Sequence, residues 1–309
     1  ESLQGACKMG DTVSGLPLQT WLGLSVVGAV VSTFGALLGV VLKDYLFARS
    51  LETWRQQRTL EQMFQKYRDP LGLSATELVY RVLEILDEYP TTYLKSDVLV
   101  ARPARQEQNS VDDAYYQRYK LMSTAYRFCS FLGWLELYRQ DITFLHLGNN
   151  KHTEAFELAI NRFRGDVADG RLNEADDWEA WRDHLIFREE LRAIGDAMIE
   201  TRGTTRSVLG YGKFCESIDG SGENAIKRWA VAVFALLVDC EAGRLDFRKT
   251  RLQRMVVHLI DIVEVLGKSN VARELFESRK RMAQCCGLPQ QDHRSPRNWP
   301  WSRRLRPKL

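Results

Sequence analysis

The sequence lacks the short motifs that identify many enzymes. It contains no His-Glu-x-x-His zinc motif, no Gly-x-Ser-x-Gly nucleophile turn and no Glu-x-x-His pair of the di-iron bundle kind. Each of these motifs holds reactive groups at a fixed spacing on a helix or turn, so their absence removes local support for metalloprotease, serine-hydrolase or di-iron chemistry. We therefore predict no catalytic residue, no metal ligand and no cofactor.

Cysteine is also scarce, and its spacing is uninformative. The six cysteines form no C-x-x-C pair, and most lie in or beside apolar helical patterns, where free thiols pack as small apolar groups. No Asn-x-Ser/Thr acceptor is present either, which agrees with a domain in a reducing compartment. The adjacent Cys285 and Cys286 are interpreted as incidental, with a redox or lipidation site as the alternative.

Charge is absent from Thr12 to Leu42. The segment Leu18 to Leu42 consists mostly of Leu, Val, Gly and Ala, and a helix of about 20 apolar residues spans the hydrocarbon core of a bilayer. A cleaved signal would have a shorter apolar region and a basic leader, and a buried core helix would also usually be shorter than this segment. We predict a single transmembrane helix, with those two interpretations as alternatives.

Basic residues flank this segment unequally. Lys8 precedes the segment, whereas Lys43, Arg49, Arg55 and Arg58 follow it closely. Because basic residues concentrate on the cytoplasmic side, the N-terminus is expected outside and the C-terminal domain in the cytoplasm or the equivalent organelle interior. Aromatic residues Trp21 and Tyr45 are typical of the two interfaces, at either end of the predicted span.

Small residues recur at helical spacing inside the predicted span. Gly28, Ser32, Gly35 and Gly39 would lie on one face, and a Gly-x-x-x-Gly pair lets a second helix approach closely. The sequence thus offers candidates for self-association. The alternative is that glycine is simply common in transmembrane helices.

The predicted organisation is all-α. It comprises a short N-terminal segment (1–17), the transmembrane helix (18–42), an amphipathic helical stalk (43–69), a cytoplasmic helical bundle (70–287) and a basic tail (288–309). The stalk is expected to end before Pro70, with Arg68 and Asp69 at a hinge. A capping box of Ser74 and Glu77 is expected to open the next helix.

Further helices follow from apolar repeats of three and four residues, and no hairpin pattern is predicted. A cap at Ser110 and Asp113 opens a long helix to about Leu145, after a connector from Pro90 to Gln108. The lone Gly210-Tyr211-Gly212 is interpreted as a turn. Trp229 to Val238 is apolar on all sides, which predicts a central core helix. The remaining helices are predicted near Thr153–Phe163, Trp178–Ile199, Glu223–Cys240, Lys249–Leu266 and Val271–Gln284.

The tail carries a net charge of +5, although the whole chain carries only +3. One interpretation is adsorption to anionic lipid through its tryptophans and arginines, and the other is a solvated disordered tail. No nucleic-acid partner is expected. The lipid-surface candidates are Trp299, Trp301, Arg303, Arg304 and Arg306.

Two clusters of polar residues were weighed as functional sites. His258, Asp261 and Glu264 resemble a metal-binding set, but the third residue drifts around the helix, so a polar surface stripe is favoured. Acidic residues between Glu174 and Glu179 precede a predicted helix, where they complement the helix dipole; cation binding is the alternative.

Two segments resemble a group of membrane-anchored helical proteins, best known from bacterial genomes, that has no assigned activity. Phe64 to Leu86 contains the Tyr-Arg-Asp-Pro-Leu run that follows the membrane helix in that group, and Phe131 to Gly148 contains its Gly-Trp-x-Glu helix. Phe187–Met198 and Leu252–Leu266 are more weakly similar. Gly72, Ser74, Thr76 and the basic tail depart from the group. The resemblance implies the architecture and transfers no site residue.

The favoured hypothesis is a single-pass, non-enzymatic interaction or scaffold protein at the cytoplasmic face of a membrane. Its expected partners are the lipid bilayer, a second copy of the chain or another protein. One alternative is an enzyme whose site is assembled from residues such as His184, Arg188, Glu189 and His258. The other alternative is an oligomeric membrane pore or effector.

Overall fold

The described part of the chain is mostly helical. This computed structural model describes residues 12–13, 16–87, 94, 114–142, 151–168, 184–238 and 247–288. Outside these described residues lie the N-terminal 11 residues, the Ser110 and Asp113 cap, the basic tail after Leu288, and the Pro90–Gln108 connector apart from Leu94. The all-α prediction is confirmed.

The described helices and strands follow one another along the chain. The helices are α1 (Leu18–Leu86), α2 (Ala114–Ile142), α3 (Lys151–Ala168), α4 (Arg188–Ala197), α5 (Tyr211–Asp219), α6 (Ala225–Leu237), α7 (Phe247–Val265), α8 (Ser269–Glu274) and α9 (Phe276–Cys285). The strands are β1 (Thr12–Val13), β2 (Leu16–Pro17), β3 (Ile199–Arg202) and β4 (Thr205–Val208). Strand β1 pairs antiparallel with β2, and β3 pairs antiparallel with β4.

The chain divides into two compact units, Glu1–Thr59 and Leu60–Leu309. The first unit contains β1, β2 and α1 as far as Thr59. The second unit contains the rest of α1 and all later elements. It therefore includes the second part of the segment predicted as a stalk.

The core of the second unit lies among α1, α2, α3 and α7. The helical period places Leu71, Leu78 and Val82 of α1 on one face, where all three are buried. Aromatic rings join the helices: Tyr67 of α1 lies 6.0 Å from Tyr138 of α2, measured between ring centroids. Such edge-to-face pairs stabilise the fold beyond their buried area alone.

The predicted helix end at Pro70 is wrong, because Pro70 lies inside α1. A proline inside a helix costs about 3 kcal/mol through its missing N–H and its steric clash. Tertiary contacts of the two residues just before Pro70 help to offset this cost. Arg68 donates from Nε to the Leu266 carbonyl at 2.6 Å, and Asp69 accepts from Lys268 at 2.8 Å.

The predicted capping box of Ser74 and Glu77 is also wrong, because α1 continues through both residues. Ser74 lies within α1 and donates its hydroxyl to the Leu71 carbonyl at 3.1 Å, rather than opening a helix. Arg68 and Asp69 do not pair with each other at a hinge. Both instead contact the segment that follows α7. Local sequence chemistry was therefore overridden by long-range contacts.

Arginines from other elements cap the C-terminal ends of three helices. Arg68 donates to the carbonyl that ends α7, Arg248 donates to the Val238 carbonyl at the end of α6, and Arg251 donates to the Asp166 carbonyl in the last turn of α3. The last carbonyls of a helix lack intrahelical donors and carry partial negative charge. Guanidinium groups therefore satisfy both the hydrogen bonding and the dipole of these ends.

Residues 199–208 form a hairpin that the sequence interpretation missed. Its two-residue loop is Gly203-Thr204, and Arg202 pairs with Thr205. Gly203 has φ 62°, which only glycine adopts at little cost. The alternation of apolar and polar residues that predicts strands was weak here, because charged residues interrupt both short strands.

Several helix predictions need correction. Gly210 precedes α5 and Gly212 lies within it, so the predicted turn is a helix start. Helix α6 is not buried on all sides, because Val231 is 61% exposed. The single helix predicted from Val271 to Gln284 is two helices, α8 and α9, which meet at Leu275.

The predictions for α2, α3 and α7 are confirmed to within a few residues at their ends. Helix α4 covers only the later part of the helix predicted from Trp178. Residues 178–183 lie outside the described part of the chain.

Candidate functional site

One helix segment is long and apolar enough to cross a membrane. It runs from Gly23 to Leu51; its most apolar stretch of 18 residues has a mean hydropathy of 2.2, and none of that stretch is buried. Its large side chains are exposed; Leu38, for example, is 57% exposed. An apolar helix without a protein cover is disfavoured in water, so this segment is the first candidate site.

The small residues of this segment lie on one face of α1. A side chain built at Gly28, Gly35 or Gly39 would meet no described atom within 4 Å. Ser32 on the same face is exposed. These small residues therefore share one face that the described residues leave uncovered, and self-association through it stays a prediction.

Aromatic and basic side chains follow the predicted span Leu18–Leu42. Tyr45 is 63% exposed and Trp54 is 55% exposed. The Arg58 guanidinium lies 4.9 Å from the centroid of the Trp54 ring, a cation–π contact. The lipid-surface candidates Trp299, Trp301, Arg303, Arg304 and Arg306 lie outside the described residues.

The most deeply buried charges form a cluster that joins α3 to α7. In this Asp166 cluster, defined by Asp166, Arg251, Arg254 and His258, Asp166 is 2% exposed. His258 donates from Nδ1 to one carboxylate oxygen of Asp166, and Arg254 donates from Nε to the other at 3.0 Å. Arg251 donates to the backbone carbonyl of Asp166 at 2.8 Å.

This arrangement shows that the metal-like set was wrongly interpreted as a surface stripe. His258 is buried and bonded to Asp166, and Asp261 accepts from Arg279 at 2.8 Å. Among the described residues, no group of three or more His, Cys, Asp or Glu side chains is placed to hold a metal ion. The carboxylates of Asp166 and Asp261 each form an ion pair with a side chain of another helix. Their placement accounts for α7 packing against α3 and α9.

The residues named for an enzymatic alternative fall in different environments. Arg188 and Glu189 are exposed in the first turn of α4, and His184 is half-buried before it. His258 is held in the Asp166 cluster. Buried Asp–His contacts can orient a histidine for proton transfer, but here two arginines share the same aspartate residue.

A second polar cluster surrounds Asp141 near the end of α2. Asp141 accepts from Lys66 at 2.9 Å, from the Tyr67 hydroxyl and from Arg206 of β4. Burial raises the pKa of Asp141, but the hydrogen bonds from Tyr67 and Lys66 outweigh burial, so the net shift is downward. The cluster ties α1, α2 and the hairpin together, and sequence reasoning gave no sign of it.

Two glycines set the spacing of elements around α2. A Cβ atom at Gly195 of α4 would lie 2.6 Å from the Leu132 carbonyl oxygen, and one at Gly133 would lie 3.0 Å from the Met198 Cβ. Both values are closer than ordinary contacts. Gly133 and Glu136 belong to the Gly-Trp-x-Glu run. Close packing of other elements against α2 at these two residues is therefore a structural reason for the run.

The described cysteines form no disulfide with one another, and their environments differ. Cys129 is buried, and burial raises the pKa of its thiol. Cys286 is half-buried and donates to the Met282 carbonyl at 2.9 Å, while burial raises its pKa. Cys285 is exposed. Thiols with raised pKa values are poor nucleophiles at neutral pH.

A small apolar depression lies between α2, α4 and α6. Its empty volume is about 150 Å³. Ligand sites are generally at least about 300 Å³, so this depression is too small for a cofactor. It is lined by Cys129, Ile194, Ala197, Met198, Ile226, Trp229 and Ala230.

Comparisons with models of protein families, with curated proteins and with solved structures found no match to this chain. The resemblance through the Tyr-Arg-Asp-Pro-Leu run therefore stays a prediction. The candidate sites rest on their own geometry.

Proposed function

We propose that this chain is a single-pass membrane protein whose helical domain is a non-enzymatic binding module on the cytoplasmic side. The observation that carries the proposal is the exposed apolar segment Gly23–Leu51. At 1.5 Å per residue, the predicted span Leu18–Leu42 matches a hydrocarbon core of about 30 Å with some tilt. The bilayer is then the first partner of the chain.

The orientation rests on the basic residues after the span. Lys43, Arg49, Arg55 and Arg58 outnumber the single Lys8 before it, and such residues favour the cytoplasmic side. The N-terminus would lie outside. The domain from Leu60 onward would face the cytoplasm or the equivalent organelle interior.

The role as a binding module is supported by how the domain uses its charged side chains. In the Asp166 cluster, the one carboxylate binds His258 and Arg254, and Arg251 binds the end of α3, which holds the helices in place. Large apolar side chains such as Leu73 and Phe187 remain exposed on the domain. Such positions suit contact with a protein partner or a second copy.

Cysteine labelling tests both the anchor and its orientation. Cells expressing the C285S or C7S variant are treated with a membrane-impermeant maleimide before and after lysis. We expect C285S to be labelled at Cys7 in intact cells, and C7S to be labelled at Cys285 only after lysis. Release of the chain from membranes by alkaline carbonate would overturn the anchor, and the reverse labelling pattern would overturn the orientation.

Self-association through the span has its own matched test. The double variant G35I/G39I adds bulk to the small-residue face, whereas G23I adds similar bulk away from that face. We expect cross-linked dimers of the full chain in membranes to be largely lost in the double variant and kept in G23I. Equal cross-linking in all three chains would remove the glycine face as the contact.

A further inference from the structure

One side of α1 carries apolar and acidic side chains that the described residues leave exposed. Leu73 is 61% exposed and Tyr80 is 41% exposed, and Glu77 between them is also exposed. Residues four and seven positions apart lie on one side of a helix, so these three share a face, here called the outer face of α1. Two large apolar side chains on one exposed face mark it as a candidate contact surface.

The segment from Lys268 to the end of α9 runs alongside this face. Three side-chain contacts join it to α1, in the order Lys268 to Asp69 at 2.8 Å, Glu274 to Tyr80 at 3.1 Å and Arg281 to Asp87 at 2.6 Å. The residue numbers rise together in both partners, which means that the two segments are parallel. The C-terminal ends of α1 and α9 therefore lie side by side.

The chain leaves the described residues at this same end of α1. Leu288, the last of them, folds back onto α9, where its backbone N–H donates to the Ala283 carbonyl at 2.9 Å. From Asp87 back to Leu73, the helix measures about 21 Å. The 11 residues that follow Leu288, ending at Trp299, extend to about 34 Å in a polyproline conformation. The tail is therefore long enough to reach the whole outer face.

The ion pairs along this side of α1 leave two carboxylates unmatched. The matched ones are Asp69 with Lys268, Glu84 with Arg81 and Lys120, and Asp87 with Arg281. Glu77 forms no ion pair with a described residue, and neither does Glu274, which accepts from the neutral Tyr80 hydroxyl. Arg273, exposed beside Glu274, offsets part of this charge. The outer face is left slightly negative.

We propose that the tail after Leu288 docks on the outer face of α1 in the same molecule. Its tryptophans, Trp299 and Trp301, cover Leu73 and Tyr80, since aromatic rings bury large areas against apolar and aromatic side chains. The net charge of +5 on the tail complements the unmatched carboxylates of the face. Four prolines favour an extended chain, and extended segments of this kind bind along surfaces that carry aromatic rings.

The docked tail has a consequence for the proposed binding module. It covers Leu73, so a protein partner that uses Leu73 must first displace the tail. All of the docking contacts belong to the second compact unit, Leu60–Leu309. The docking therefore does not depend on the membrane anchor, and its test can fail or succeed independently of the anchor.

Site-specific photo-cross-linking of the full chain in an uncharged detergent tests the docking. Benzoylphenylalanine replaces Leu73, and in the control it replaces Val231 of α6, which is also 61% exposed. After irradiation, the band of the single chain is isolated, and mass spectrometry identifies the cross-linked peptides. The experiment is repeated with phosphatidylserine added to the micelles. A contact with the tail of a second copy would appear only in the band of two chains.

We expect the probe at Leu73 to cross-link to peptides of the tail within one chain, with or without phosphatidylserine, and the probe at Val231 not to do so. The double variant W299A/W301A should reduce this cross-linking about tenfold, because it removes the aromatic anchors. The double variant E77Q/E274Q should reduce it about threefold, as expected for two exposed charge contacts. E216Q, which changes an exposed glutamate of α5, should leave it unchanged.

Three results would overturn the proposal. The first is equal cross-linking of the tail at Leu73 and Val231, or none at either position. The second is cross-linking of the tail only between two chains, which would assign the face to a second copy. The third is loss of the cross-link when phosphatidylserine is added, which would assign the tail to the lipid surface. Both probe positions are exposed, so neither substitution disturbs the core.

Discussion

Two parts of α1 carry similar apolar side chains in opposite environments. Leu38, in the first part, is 57% exposed, whereas Leu78, in the second, is fully buried. The second part has an apolar face, and rings of α2 and α3 pack against it at Tyr67 and Phe64. The first part is apolar on all sides, and the described residues of its own compact unit leave it uncovered. Amphipathicity, rather than apolarity alone, separates a helix that packs within its domain from one suited to lipid.

The largest expected effect comes from placing a charge in each part. Leu78→Asp buries an unpaired carboxylate and should cost about 4 kcal/mol or more, which would unfold much of the domain. Leu38→Asp should leave the unfolding free energy of the domain unchanged while weakening membrane retention. Urea unfolding in detergent, followed by circular dichroism, measures both variants. Similar losses in the two would break the comparison.

The second prediction extends the comparison to charged side chains. Asp166→Ala leaves His258 and Arg254 without their buried carboxylate and should cost about 3–5 kcal/mol. The control, Asp87→Ala, removes an exposed partner of Arg281 at 2.6 Å and should cost less than about 1 kcal/mol. Thermal and urea unfolding give the two losses of unfolding free energy. Comparable losses would mean that the burial of Asp166 does not determine how strongly it stabilises the fold.

Glycines sharpen the comparison further. Gly195→Ala drives a methyl group to within 2.6 Å of a backbone oxygen, and we expect a loss of about 1–3 kcal/mol in unfolding free energy. Gly28→Ala meets no described atom within 4 Å, so it should be neutral or favour its helix slightly. Helix content and urea midpoints measure the pair. A stable Gly195→Ala variant would show that α4 can move away from α2.

The smallest effects concern two neighbouring tyrosines. Tyr67→Phe removes a hydrogen bond to Asp141 and should cost about 1 kcal/mol. Tyr138→Phe removes a buried hydroxyl that has no hydrogen-bond partner among the described residues, so it should be neutral or slightly stabilising. Urea unfolding of the two variants at neutral pH distinguishes them, and a larger loss for Tyr138→Phe would contradict the assignment.

The lowered pKa of Asp141 gives this pair a pH dependence. A carboxyl group whose pKa is lower in the folded state stabilises the fold above its unfolded pKa. That stabilisation is lost as the pH falls through the lowered, folded-state value. The difference between Tyr67→Phe and the original chain should therefore shrink in acid.

Much of the helical architecture could be predicted because apolar residues repeat every three or four positions. The pattern around Leu121, Ala125 and Phe128 located α2 to within a few residues of its C-terminal end. The start of a helix at Tyr211 was missed because Gly210 and Gly212 imitate a turn. The hairpin was missed because its strands are four residues each, too short for alternation to stand out.

Local stop signals failed where distant residues supplied compensation. Pro70 was expected to end a helix, but Arg68 and Asp69 contact the segment after α7, nearly 200 positions away along the chain. The same limit applied to His258, whose carboxylate partner lies 92 positions away on another helix. No local pattern records such pairings.

By itself, the sequence determined the uncharged apolar segment and the helical period of the domain, because both depend on the order of side chains along one helix. Only the tertiary structure decided that α1 continues through Pro70, that His258 joins Asp166, and that Lys66, Tyr67 and Arg206 meet at Asp141. These features depend on which helix faces meet. That choice is made by the packing of the whole core, in which a residue's partner is set by space rather than by its position in the chain.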